Sequence, residues 1–366
     1  MRTQPSDAGF SLMELLAATA IGLVVIGTAM TTFKDAVGMT HTTSDLADTS
    51  QNLRGGTNFL IHDLVLAGRG IPTGGIPIPS GAGARPILRP SPPGLDYNFD
   101  NVTATTLTAI TSGSGLGPTV DGQITDIVTI LTIDPILDSC LGAPLSVRPA
   151  GTPGGVPVMA ADGSSLSVGT DVTCVDPSGG TWIAGSSTQA PVKKGDLLIF
   201  TDPNGRNAIQ TVTGNDPTTL YFAQTSDDTF GFNQPAAAAG SITPLLGEAL
   251  SVQRVIMYTY YVDSAGGTPR LMRRYNMATA QALAGVVENL QLTYDLVDGV
   301  TNPANVADLP FTSLSGVTYS ANQIRKVSVQ VGVRSETMST RLHDYLRSQL
   351  STVVSIRNLA YVDRYQ

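Results

Sequence analysis

The residues that could do chemistry are few and lie far apart in the sequence. The three histidines, His41, His62 and His343, form no pair at the short spacing that metal sites use, and His62 is predicted to be a surface residue. No pattern typical of a nucleophilic serine, a zinc-binding helix, a dinucleotide fold or a phosphate loop occurs. We therefore expect no catalytic residues, no metal, no cofactor and no enzymatic activity.

Three further groups of side chains favour a structural interpretation over a binding one. Asp202–Gly205 carries oxygen ligands but lacks the calcium-loop pattern, so a turn between two strands is predicted there. Three tyrosines are predicted to pack along a strand rather than to form a ligand platform. Three arginines are predicted to lie on a solvated strand face, with an interaction patch as the alternative. These residues are Tyr258, Tyr260, Tyr261, Arg270, Arg273 and Arg274.

The acidic residue Glu14 lies near the start of the longest apolar stretch of the chain. The stretch Phe10–Phe33 would be about 36 Å long as a helix, which is enough to cross a bilayer core of roughly 30 Å. A secretory signal peptide or a simple signal anchor is the alternative, but no clear small-residue cleavage site precedes Lys34. An unpaired charge in hydrocarbon costs about a few kcal/mol, so Glu14 is predicted to have a functional partner.

The sequence around Glu14 resembles the processing motif of type IV prepilins. The run Gly9-Phe10-Ser11-Leu12-Met13-Glu14-Leu15-Leu16 follows a polar leader and opens the apolar stretch. The resemblance implies that a prepilin peptidase cuts after Gly9, on the cytoplasmic side of the membrane, and methylates the new N-terminus at Phe10. It also implies that Glu14 pairs in a filament with the charged N-terminus of a neighbouring subunit, which neutralises two charges in an apolar core.

The helix is predicted to continue beyond the membrane. Major pilins usually have a proline in the middle of this helix, where the chain has Gly22 and Gly27, and glycine also weakens a helix. An apolar stripe at spacings of seven, four and three predicts an amphipathic helix with a weak point at Gly55-Gly56. Gly- and Pro-rich sequence from Gly68 onward is expected to end it. The stripe consists of Leu46, Leu53, Leu60, Leu64 and Ala67.

The composition favours β-structure for the rest of the chain. Of the 366 residues, 42% are apolar and 14% are charged, with 38 glycines and 23 prolines. That mix is typical of sheets with many turns and long loops. The net charge is −8 and no long Lys/Arg run occurs, so we expect no nucleic acid to bind the body of the protein.

Eight segments downstream of the helix are predicted to be strands. In the last of them, valines alternate with polar or small residues, so one face is expected to point into the core. Pro- and Gly-rich sequence predicts loop insertions at about 75–94 and 139–190. The predicted strands are Thr103–Ile110, Gln123–Ile133, Gly195–Thr201, Asn207–Thr213, Ser251–Val262, Arg270–Tyr275, Leu290–Leu296 and Ile324–Val333.

The two cysteines, Cys140 and Cys174, both lie in the second insertion. In an exported domain, a lone pair of cysteines predicts one disulfide. Such a bridge would stabilise the domain by roughly 3–4 kcal/mol on the loop-entropy estimate.

The order of motifs in the C-terminal half resembles that of PilW-type minor pilins. The resemblance covers the N-terminal third and the C-terminal half and leaves about 75–190 uncovered. It implies a low-abundance subunit that primes or caps the type IV pilus with other minor pilins and the major pilin. The motifs are Gly195–Phe200, Tyr258–Val262, Pro269–Arg274, Ala284–Tyr294, Ile324–Ser335 and Leu350–Asn358.

These observations predict an α+β, pilin-like fold, in which a long N-terminal helix packs on an antiparallel β-sheet with long loop insertions. The predicted parts are a leader (1–9), a transmembrane half (10–33) and an amphipathic half (34–70) of the helix, and a periplasmic β-rich domain (71–366). The resemblance implies a single-pass protein of the bacterial inner membrane with a cytoplasmic N-terminus, which then joins the pilus. Two alternatives stay open: a pseudopilin of a type II secretion system, and an adhesive or ligand-binding tip module that binds through 75–190.

Overall fold

The computed structural model describes residues 10–359, except 82, 102–103, 135–143, 156, 170–172, 176–180, 184–191, 217, 235–238 and 340–342. For 173–175 and 181–183 it describes the backbone alone. Gly9, Cys140 and the side chain of Cys174 lie outside the described parts, so the processing site and the disulfide stay predictions. The chain divides into two units, one of Met1–Gln51 with Arg334–Ser348, the other of Asn52–Val333 with Gln349–Gln366.

One long helix, α1, extends over Leu12–Leu66. It ends within the predicted region, where Gly68 and Gly70 have φ angles of 76° and 74°, a conformation that glycine adopts without strain. The Gly68 N–H donates to the Leu131 carbonyl at 2.9 Å, which ties this end of the helix to the β-structure. The helix continues through Gly55-Gly56, so the predicted weak point is not a break.

The rest of the chain forms strands of 2 to 16 residues, and two 3-10 turns lie at Thr243–Leu245 and Ala321–Gln323. In chain order the strands are β1 (Ile76–Pro77), β2 (Ile87–Arg89), β3 (Tyr97–Phe99), β4 (Thr106–Leu107), β5 (Ile110–Thr111), β6 (Thr119–Val120), β7 (Gln123–Ile124), β8 (Val128–Asp134), β9 (Leu145–Val147), β10 (Val158–Met159), β11 (Ser165–Ser167), β12 (Thr173–Val175), β13 (Thr181–Ile183), β14 (Leu197–Thr201), β15 (Asn207–Thr211), β16 (Gly214–Asn215), β17 (Thr219–Tyr221), β18 (Leu250–Asp263), β19 (Arg270–Tyr275), β20 (Gln281–Leu296), β21 (Phe311–Thr312), β22 (Thr318–Tyr319), β23 (Ile324–Arg334) and β24 (Arg347–Ser355).

The main sheet is antiparallel and has the strand order β15-β14-β18-β19-β20-β23-β24. Strands β8 and β9 also pair with β18, and β5 pairs with β8. The other strands form small sheets of two or four strands. A long apolar N-terminal helix and antiparallel sheets make this an α+β protein, as predicted.

Three predicted strands and one predicted loop insertion need correction. The predicted strand Thr103–Ile110 is wrong as one strand, because the Thr108 hydroxyl donates to the Ile110 carbonyl at 2.8 Å and turns the chain between β4 and β5. The predicted strand Gln123–Ile133 is likewise split between β7 and β8. Between them the backbone bonds to other segments, since the Asp126 N–H donates to the Leu290 carbonyl and the Ile127 N–H to the Gly113 carbonyl. Strand β20 begins nine residues before the predicted Leu290. The insertion 139–190 is not only loop, since it contains β9 to β13.

The core of the second unit includes the end of α1 and the main sheet. Leu53, Leu60, Leu64 and Ala67 are at most 4% exposed and belong to one apolar cluster with alternating valines of β23. Burial of each leucine stabilises the fold by about 1.5–3 kcal/mol. The predicted stripe is therefore buried from Leu53 onward, whereas Leu46 is 40% exposed.

Candidate functional site

Ser11 and Glu14 bind each other at the start of α1. The Ser11 backbone N–H donates to Glu14 Oε2 at 3.0 Å, and the Glu14 N–H donates to Ser11 Oγ at 3.2 Å. This is a capping box, which gives acceptors to two N–H groups that the first turn of a helix leaves unpaired. The sequence signal for it, a serine three residues before a glutamate at the start of an apolar run, was present and was missed.

Every polar side chain between Phe10 and Phe33 has a hydrogen-bond partner within this segment. Besides the Ser11–Glu14 pair, four threonine hydroxyls donate to carbonyls three or four residues earlier, at 2.8–2.9 Å. The hydrocarbon core of a membrane offers no water to such groups, so internal hydrogen bonds lower the cost of inserting them. The threonines are Thr19, Thr28, Thr31 and Thr32.

The same segment exposes its apolar side chains on all sides. Its large apolar residues range in exposure from 56% at Ile26 to 87% at Phe10. The helix is long and apolar enough to cross a membrane. The structure thus confirms a helix that can serve as a single-pass anchor over the predicted segment 10–33.

The predicted site residues lie at different places along the chain. Phe10, the predicted methylation site, is exposed immediately before the helix, and Glu14 lies one turn further on. The backbone of Cys174 is in β12, which pairs with β13. Gly9 and Cys140 lie outside the described residues.

A buried polar cluster near the end of α1 was not predicted. Asp63 is 3% exposed, and its Oδ2 accepts hydrogen bonds from the Tyr260 hydroxyl at 2.5 Å and from Arg273 Nε at 2.8 Å. Burial raises the pKa of Tyr260, and the Asp63 carboxylate raises it further. Burial lowers the pKa of Arg273, but the hydrogen bond to Asp63 and the charge interactions with Asp63, Tyr260 and Tyr258 together outweigh this, and the pKa is raised overall. The cluster ties the helix to strands β18 and β19.

The position of Asp63 in the sequence contained a signal for this cluster. Asp63 follows Leu60 by three residues and precedes Ala67 by four, so it lies on the buried stripe of the helix. A carboxylate on a buried stripe requires a partner. The partner Arg273 corrects our prediction for this arginine, because it belongs to a largely buried ion pair rather than to a solvated strand face.

Other polar candidates have structural roles. Asp202 accepts from the Asn204 and Arg206 N–H groups and from Arg206 Nε, which closes the turn between β14 and β15 as predicted. Burial raises the pKa of Asp202, but the hydrogen bonds and charge of Arg206 and the hydrogen bond from the Asn204 N–H together outweigh this and hold the pKa below its usual value. Tyr260 and Tyr261 are buried in the sheet. Within the described residues, no group of three or more His, Cys, Asp or Glu side chains could hold a metal ion.

At Gly56, helix α1 packs so closely on the sheet that a side chain does not fit. A Cβ at this position would lie 2.7 Å from Ala284 Cβ and 3.4 Å from a methyl carbon of Leu271. At the adjacent Gly55, nothing lies within 4 Å. The glycine pair predicted to weaken the helix therefore includes one residue that packing requires.

No protein-family model, curated protein or solved structure matches the chain. The functional argument therefore rests on the residues of the chain itself.

Proposed function

We propose that the chain is a minor pilin of a bacterial type IV pilus. In this proposal a prepilin peptidase removes residues 1–9 and methylates Phe10, and the mature subunit is held in the inner membrane by α1. It then helps to prime or cap the pilus with other minor pilins and the major pilin. Its role is structural rather than enzymatic.

The observation that carries the proposal is the way in which the exposure of apolar side chains changes along helix α1. Over Phe10–Phe33 it is apolar on all sides, with its polar groups bonded internally. From Leu53 to Ala67 one face is buried against an antiparallel sheet. A subunit that is held in a membrane and then enters an apolar filament core needs a helix segment that is apolar on all sides. A rigid periplasmic domain attached to that helix needs one helix face buried against the sheet.

The role of Glu14 fits this path. In the single chain its carboxylate accepts the Ser11 N–H, so it has a partner while the helix is in the membrane. In the proposed filament, the charged amine of a neighbouring Phe10 offers a stronger, charge-assisted partner. The same carboxylate can therefore lower the free-energy cost of placing this segment in the membrane and can later favour assembly.

The first test is processing at Gly9. Gly9→Val should leave a full-length precursor in the inner membrane, because the peptidase requires a residue without a side chain at the cut. Gly27→Val is the matched control: it makes the same substitution where nothing lies within 4 Å of the added Cβ, and it should be processed normally. Intact-mass measurement distinguishes the forms. A Gly9→Val chain that begins at Phe10 would refute the assignment.

The second test is the assembly role. Deletion of the gene should reduce the number of surface pili, and the wild-type gene should restore it. Normal piliation with a loss of protein secretion would instead identify a pseudopilin.

A further inference from the structure

Strand β24 ends the main sheet and leaves one of its sides open. It extends over Arg347–Ser355 and, within the part of the chain that the structure describes, has a neighbour in the sheet on one side only, β23. Odd-numbered residues along the strand are exposed, whereas the even-numbered residues from Ser348 to Val354 are half-buried or buried. An open sheet edge of this length can accept another strand.

The peptide groups that point away from β23 can be identified. The Ile356 N–H donates to the Arg325 carbonyl at 2.9 Å, and the Leu346 carbonyl accepts from the Ser335 N–H at 2.8 Å. Both contacts direct even-numbered residues of the β24 region toward β23. Since peptide groups alternate in direction along a strand, odd-numbered residues direct their N–H and C=O groups outward. These residues are Gln349, Ser351, Val353 and Ser355.

These outward groups contrast with the other end of the sheet. At β15, the Thr211 N–H donates to Asn233 Oδ1 at 2.9 Å, and Asn233 Nδ2 donates to the Thr211 carbonyl at 2.8 Å. The side chain of Asn233 thus occupies both backbone groups of an edge residue. Among the described residues, no such partner engages the outward backbone groups between Gln349 and Ser355.

The open edge also lacks the features that discourage strand addition. From Ser348 to Ser355 the sequence contains no charged residue and no proline, and Val353 is 58% exposed. Natural edge strands are usually protected by lysines, prolines, bulges or a short length. An uncharged edge favours an uncharged strand as its partner.

We propose that β24 pairs antiparallel with β24 of a second copy of this chain. A two-fold axis at Thr352 places Gln349 opposite Ser355 and Ser351 opposite Val353. The four outward residues of each copy form four pairs with those of the other copy. Each pair exchanges two backbone hydrogen bonds, so the register forms about eight of them. No charge opposes another within this stretch. This self-complementarity favours a second copy over an unrelated strand.

The test uses the full chain in detergent. Light scattering over a range of concentrations should show a dimer, and the amides of the outward residues should gain protection from hydrogen exchange as concentration rises. The double variant Ser351→Lys and Val353→Lys places lysines opposite each other in the proposed register, and its dimer dissociation constant should rise at least tenfold. Val300→Lys is the matched control, since Val300 is an 85% exposed valine elsewhere, and it should leave the dimer unchanged.

A cysteine at the axis tests the register. Thr352→Cys should give disulfide-linked homodimers in membranes under oxidising conditions, whereas Thr318→Cys, at an exposed position in β22, should not. A wild-type chain that stays monomeric at all concentrations would overturn the proposal. So would a double-lysine variant that still forms the dimer. Cross-links from Thr352→Cys only to a different protein would show that another partner occupies the edge.

Discussion

The carboxylate of Glu14 is held by Ser11 in the single chain, and the proposed filament contact would use the same oxygen atoms. The two roles can be separated by mutation. Glu14→Gln keeps a capping acceptor but loses the charge, whereas Ser11→Ala loses half of the cap and keeps the charge. Losing the cap costs about 1 kcal/mol, but a charge left unpaired in an apolar core costs about 3–5 kcal/mol.

We therefore expect Glu14→Ala and Glu14→Gln to be cleaved at Gly9 and retained in the membrane, but to assemble few pili. Ser11→Ala should assemble nearly normally. Counts of surface pili and pull-down of other minor pilins measure the outcome. Normal piliation with Glu14→Gln would show that the charge of Glu14 is not an assembly contact.

Loss of the Asp63 carboxylate should strongly destabilise the second unit. Asp63→Ala leaves the guanidinium of Arg273 and the hydroxyl of Tyr260 without their buried acceptor, so the free energy of unfolding should fall by about 3–5 kcal/mol. His62→Ala is the neighbouring control. Its side chain is 70% exposed, and its one contact with the cluster, 3.3 Å from Nδ1 to Asp63 Oδ1, is a surface contact whose loss should lower the free energy by less than about 1 kcal/mol.

Chemical denaturation of the full chain in detergent measures both variants. Equal stability of Asp63→Ala and the wild type would mean that the cluster does not tie the helix to the sheet.

At the scale of elements, the glycine pair in α1 offers a matched comparison. Gly56→Ala should destabilise the contact between helix and sheet by about 1–3 kcal/mol, because its Cβ would overlap with Ala284. Gly55→Ala faces open space and should stabilise the helix by up to about 1 kcal/mol. Thermal unfolding should move in opposite directions for the two variants. A shift in the same direction would contradict the close approach.

The strands that could be predicted from sequence are those whose own residues strongly favour an extended conformation. Strands β18, β19 and β23 match the predictions within one residue at each end, because each has a sustained run of β-favouring residues. The sequence of β24 alternates weakly and is mostly polar, so it was not predicted as a strand. Its pairing with β23 determines its conformation.

The site could be predicted where it is local and not where it depends on the fold. The apolar segment around Glu14 is continuous in the sequence. The Asp63 cluster joins residues 197 and 210 positions apart, so strand order had to be known before its partners could be named. Gly56 was misread for the same reason, since only the packed sheet shows why a side chain does not fit there.

At the scale of the whole molecule, the predicted disulfide offers a test of the compartment of the β-rich domain. If this domain is periplasmic, Cys140 and Cys174 should be linked, because that compartment is oxidising. Mass mapping of the membrane-derived chain under non-reducing conditions should show the linked peptides. Reduction before alkylation is the control and should release both thiols. Two thiols that can be alkylated without reduction would contradict either the bridge or the periplasmic location.

The difference between the β15 and β24 ends of the main sheet also limits the number of copies that can join through edge strands. Asn233 occupies backbone groups at the β15 end, and β24 is open. A sheet that is open at both ends can add copies without limit and grow into a fibre. When two copies meet through β24, both β24 strands are used, and each β15 border of the joined sheet keeps the Thr211 backbone groups bonded to Asn233. Pairing through β24 therefore joins two copies and leaves no further β24 edge on which a fibre could grow.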